Sequence, residues 1–96
     1  MIIAQLSISP VGEDVSLHKY VKIVIEVIKK YNVKFEINAM STVIETDKIE
    51  NLFNIISESN DKLVELGVKR VITELKIDNR IDKDATIESK LRHIKK

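Results

Sequence analysis

Polar and apolar residues alternate from the first residues of the chain. Ile2, Ala4, Leu6 and Ile8 fall on one face and Ile3, Gln5, Ser7 and Ser9 on the other, which is the period of a strand with one dry side. Pro10-Val11-Gly12-Glu13-Asp14 then carries turn chemistry, because Pro fixes φ and Gly tolerates unusual backbone angles. Past it the period changes. Leu17, Tyr20, Val21, Val24, Ile28 and Tyr31 recur every three or four positions, predicting a helix that Ser16 or Asp14 caps and that runs to about Tyr31. Ile23, Ile25 and Val27 lie outside that stripe, so this helix has either a wide buried face or a contact with another subunit.

Val33, Phe35 and Ile37 alternate with Lys34, Glu36 and Asn38 to give a second strand, and the β-branched run from Thr42 to Thr46 gives a third. Only Ala39, Met40 and Ser41 separate them, which predicts antiparallel pairing close to a hairpin. Asp47-Lys48-Ile49-Glu50 has the form of a capping box and opens a second helix, with a stripe of Ile49, Leu52, Phe53, Ile56, Leu63 and Val64, that stops near Gly67. Asn60 shares the stripe, as a satisfied structural amide or as a ligand group. Val71, Thr73, Leu75 and Ile77 form the dry face of a fourth strand, opposite Ile72, Glu74, Lys76 and Asp78, and Asp78-Asn79-Arg80 turns the chain. A last short helix, about Ala85 to Ile94, offers only Ile87, Leu91 and Ile94, and is expected over a sheet edge or on another subunit.

The order β-α-β-β-α-β with an added helix predicts an α+β, ferredoxin-like fold over residues 1–96 as a single domain. Right-handed crossovers put both long helices on one face of a four-stranded antiparallel sheet, with the first and third strands central. The other face carries Gln5, Ser7, Glu36, Asn38, Val43, Glu45, Glu74, Lys76 and Asp78. Two such faces stacked across a dimer would line a pocket with these groups, and the surplus of glutamate suits a cation or a donor-rich ligand. In the alternative the carboxylates are solvated or pair with Lys34 and Lys76, and the face only assembles subunits.

Composition narrows the chemistry. The 96 residues carry 16 Lys and Arg against 15 Asp and Glu, so no net field draws nucleic acid or an anionic membrane. With no cysteine there is no disulfide, thiolate or cysteine-ligated zinc, which fits a reducing cytoplasm, and no apolar run reaches the roughly 18 residues that span a bilayer. His18 and His93 are far apart and read as surface residues; no metal-ligand spacing, phosphate-binding glycine motif or nucleophile elbow occurs, so neither a cofactor nor an enzyme is expected. The RNA-recognition variant of this topology stacks bases on aromatic residues of its central strands, which here have none.

Several stretches together resemble one family, the small thiamine-binding proteins of the YkoF-like type. Pro10-Val11-Gly12 is similar to its P-x-G turn, and Tyr20-Val21 matches on the first helix. Met40-Ser41-Thr42-Val43-Ile44-Glu45 is similar to its M-G-T-x-[IV]-E, and Arg70-Val71 with Lys76-Ile77-Asp78-Asn79-Arg80 to its R-V and K-[IL]-D-x-R. The resemblance implies a ferredoxin-like fold, association through sheets into homodimers or homotetramers, and binding of thiamine or its hydroxymethylpyrimidine part. It supports Met40, Thr42 and Glu45 as site positions; strand parity adds Gln5, Ser7 and Asn38, with Lys76, Asp78 and Arg80 as secondary candidates. Glu45 would meet the pyrimidine or the thiazolium cation and Met40 would form an apolar wall. Ser41 stands where the family has glycine, Asn38-Ala39 where it often has an apolar residue and proline, and Asn60 where many members have histidine.

Overall fold

The computed structural model describes residues 1–12, 18–92 and 94. Its elements are β1 (Ile2–Pro10), α1 (His18–Lys29), β2 (Lys34–Ile37), β3 (Thr42–Thr46), α2 (Ile49–Glu65), β4 (Val71–Asn79) and α3 (Ile87–Arg92). The strands form one sheet in the order β2-β3-β1-β4, every neighbour antiparallel, so β1 and β3 are central as the crossover rule requires. The architecture is the α+β ferredoxin-like one. Among the described residues, no helix is long and apolar enough to cross a membrane.

The alternation of β1 decides which layer each residue joins. Ile2, Ala4 and Leu6 pack with Ile44 of β3, Val24, Val27 and Ile28 of α1, and Leu52 and Ile55 of α2 in the main core. At one end Tyr20, Leu63 and Val68 make a second cluster that closes the helical layer. On the opposite side of the sheet Ile3 meets Val43 and three residues of the C-terminal segment, Ala85, Ile87 and Leu91. The last helix therefore lies over the sheet face, where the sequence pattern pointed to an edge or a second subunit. Ile3 and Val43 give its short apolar stripe a partner within the chain.

The helices depart from expectation in two further ways. On α2 the residues that go inside are Leu52, Ile55, Ser59 and Leu63, whereas Phe53 and Val64 stay 52% and 60% exposed. Two packed neighbours, α1 and the sheet, select a face turned from the one hydrophobicity alone picks. Asp47 makes no cap; the hydroxyl of Thr46 instead accepts from the Lys48 N–H at 3.3 Å and from Asn51 Nδ2 at 2.9 Å. The C-terminus of α2 is as expected: Gly67 has φ 93°, Val68 N–H reaches the Leu63 carbonyl at 3.1 Å and Gly67 N–H the Val64 carbonyl at 2.9 Å, a Schellman ending that a side chain would strain. The proposed caps of α1, Asp14 and Ser16, and also His93 lie outside the described residues; His18 is exposed.

Candidate functional site

The strands differ in length, and the surplus makes a cleft. β3 pairs with β1 from Ile2 opposite Thr46 to Leu6 opposite Thr42, while β1 runs on beside β4 until Pro10 lies opposite Val71. Beyond Leu6 the chain leaves β1: Asn38 N–H donates to the Ser41 carbonyl at 2.8 Å and closes the turn into β2. The vacated side of β1, the turn and α1 enclose a cleft of about 300 Å³, lined by Leu6, Ser7, Ile8 and Ser9, by Val21, Val24 and Ile25, and by residues 37–42. An apolar wall with a few polar groups on the rim is what small-ligand sites look like.

Of the residues singled out by sequence, Ser7, Asn38, Met40 and Thr42 come together here. Met40, at 87% exposure, stands at the rim. The register puts Thr42 on the helical side of the sheet, opposite Leu6.

Glu45 lies elsewhere. It faces away from the helical layer at the far end of β3, is 8% exposed, and its Oε1 accepts the Ile87 N–H at 2.8 Å. The same turn carries a reciprocal cap that the sequence reading missed: Ser89 N–H donates to Thr86 Oγ1 and Thr86 N–H to Ser89 Oγ, each at 2.9 Å. The T-x-x-S spacing was its signal. Glu45 is thus an acceptor for the α3 N-terminus, and beside it Lys34, Thr46 and Asp47 line a shallow depression of about 370 Å³.

Gln5 is in a third place, a depression of about 300 Å³ on the sheet face with Ile3, Val43, Lys76, Asp78 and Lys90. Asp78 Oδ2 and Lys90 Nζ are 2.6 Å apart, and this hydrogen bond, aided by the ammonium charge, holds the Asp78 carboxyl below its ordinary range. Arg80 grips Asp82 through two nitrogens at 2.8 and 3.2 Å. Asn60 is a structural amide, donating to the Ile56 carbonyl at 3.0 Å and to Thr73 Oγ1 at 3.2 Å. Among the described residues no three His, Cys, Asp or Glu converge to hold a metal.

Fold and cleft define a small ferredoxin-like α+β protein with a ligand-sized hollow beside its central strand. The chain belongs to the thiamine-binding protein family, which it matches over residues 4–95. It is 45% identical over 93 residues to UPF0045 protein MJ1052 of Methanocaldococcus jannaschii, covering 97% of this chain and 91% of that one. Against UPF0045 protein YqgV of Bacillus subtilis the identity is 34% over 101 residues, covering 100% and 96%. The crystal structure of MJ1052 superposes with a TM-score of 0.88, covering 97% of this chain and 94% of that one at 45% identity. The Thermotoga maritima protein TM0486, named as a candidate thiamine biosynthesis/salvage protein, superposes with a TM-score of 0.79 at 26% identity, covering 98% of both chains.

Proposed function

We propose that this protein is a non-enzymatic, cytoplasmic binder of thiamine or its hydroxymethylpyrimidine part, and that the pyrimidine enters the cleft between β1, the β2–β3 turn and α1. The observation that carries the reading is the convergence of Ser7, Asn38, Met40 and Thr42 on one hollow in a chain of the thiamine-binding family. The Thr42 hydroxyl, on the helical side of the sheet, and the Asn38 amide suit the ring nitrogens and amino group of a pyrimidine, while Val21, Val24 and Ile25 offer its faces an apolar wall. Homodimers or homotetramers form through the sheet face that α3 leaves open, where Ile72 is exposed.

Calorimetric titration of the protein, stripped of ligand by unfolding and refolding, tests this with thiamine and with hydroxymethylpyrimidine. Saturable binding at about micromolar Kd or tighter, about −8 kcal/mol, is expected. Silence with both ligands from a refolded oligomer overturns it in favour of a module whose sheet face serves only assembly.

A further inference from the structure

The hydrogen-bond directions along β1 give the cleft a recognition element that side chains do not show. Val11 N–H donates to the Arg70 carbonyl at 2.9 Å, in continuation of the β1–β4 register. In an antiparallel ladder a residue turns its N–H and C=O to the same side, and successive residues alternate. Odd-numbered residues of β1 therefore address β4, and even-numbered ones address β3. The turn bond from Asn38 to Ser41 gives the same answer independently: Ser41, Val43 and Glu45 address β2, which leaves Thr42, Ile44 and Thr46 for β1. Ile2, Ala4 and Leu6 are thus paired across to β3. Ile8 is the next in that series, and β3 has ended.

Ile8 lines the cleft, and its N–H and C=O point to the side where, among the described residues, no strand follows. Pro10, next in the series, has no N–H to offer. Among the described residues, Ile8 is accordingly a backbone donor–acceptor pair of β1 that faces the cleft with no strand opposite it. An unpaired pair of this kind costs free energy unless water or a ligand meets it.

We propose that the Ile8 backbone is the recognition element for the ligand's ring: its N–H donates to a ring nitrogen, and its C=O accepts from the adjacent amino group. An aminopyrimidine carries acceptor and donor side by side in one plane, as the edge of a neighbouring strand would. It completes the ladder where β3 stops. This deepens the proposed function and rests on it. It also defines the ligand class, a planar heterocycle with an amino group next to an unprotonated ring nitrogen. An oxo group in place of the amino group reverses both partners and sets carbonyl against carbonyl.

The test is amide-resolved NMR with hydrogen exchange on the refolded protein, with hydroxymethylpyrimidine and thiamine as probes and the 4-oxo analogue as control. In the free protein the Ile8 amide should exchange at least about tenfold faster than those of Ser7 and Ser9, which address β4. Either amino compound should slow it at least about tenfold and move its proton downfield, and the oxo analogue should bind at least about tenfold more weakly. Ile8→Pro removes that N–H without removing a β1–β4 bond, and should lower affinity for both amino compounds by a similar factor. Binding that leaves the Ile8 amide unmoved overturns this inference and leaves the proposed function standing. Slow exchange of Ile8 in the free protein overturns it too, since the edge is then already filled. No binding at all, with Ile8 exchanging fast, overturns both.

Discussion

Glu45 Oε1 accepts the backbone N–H of Ile87 at 2.8 Å across 42 residues of chain, and so ties the end of β3 to the start of α3. Both partners are buried, so neither is readily met by water if the other is lost. Glu45→Ala should cost about 1–2 kcal/mol in urea unfolding, with the loss of protection concentrated in the amides of residues 87–92. Glu45→Gln keeps an acceptor oxygen and should cost less. If the cleft is the site, both variants keep ligand affinity within about threefold, a small change on the scale where 1.4 kcal/mol is tenfold.

The second tie of α3 is the ion pair of Asp78 with Lys90, and its pH dependence has a definite sign. Lys90, through its hydrogen bond and then its charge, lowers the Asp78 pKa from 3.8, with smaller help from Arg80 and Lys76. A depressed carboxyl stabilises the folded state above its unfolded pKa, and that contribution is lost as pH falls through the folded value. Exchange protection of α3, corrected for intrinsic rates, should therefore hold from neutrality down to about the ordinary carboxylate pKa and fail only in stronger acid. Asp78→Asn should remove that acid step. Added salt should weaken the tie, because both side chains are about half exposed.

Ser59 is fully buried on α2, and its Oγ has no hydrogen-bond partner among the described residues. Ser59→Ala removes an unmet polar group and improves helix propensity, so it should stabilise by about 0.5–1 kcal/mol, read as a higher urea midpoint at unchanged m. A clear loss of stability would show that an ordered water meets the hydroxyl.

Asn60→Ala separates structure from recognition at a position where ligand contact was open. The change breaks the bridge from α2 to Thr73 and should cost about 1–2 kcal/mol. Affinity for hydroxymethylpyrimidine should stay the same within error, since Asn60 does not line the cleft.

The strands were legible because their signal is local. Alternation placed β1 and β4 to within a residue or so, and Thr42–Thr46 emerged with its own bounds. The face of α2 was not, since Phe53 and Ile55 are equally apolar and only the positions of α1 and the sheet decide between them. The site divided for a similar reason. Strand parity assigned Gln5 and Glu45 to one face correctly, but it carries no distance along the strand. Parity also says nothing of a neighbour such as α3, which arrives from the far end of the chain and occupies Glu45. The cleft itself follows from unequal strand lengths, which the sequence showed, and from where the surplus of β1 falls, which only register reveals.

The central place of β1 also bears on how the protein is made. Its residues are made before those of either strand partner, so one of its edges waits for β3 and the other for residues 71–79, and Ile2 meets Asn79 only after 77 further residues have been added. Closing that span is slow in loop entropy, and until then a strand rich in Ile and Leu has open edges. The nascent chain thus has to keep β1 from pairing with other molecules, and the β1–β3 ribbon with α1 behind it is the first structure able to shield it.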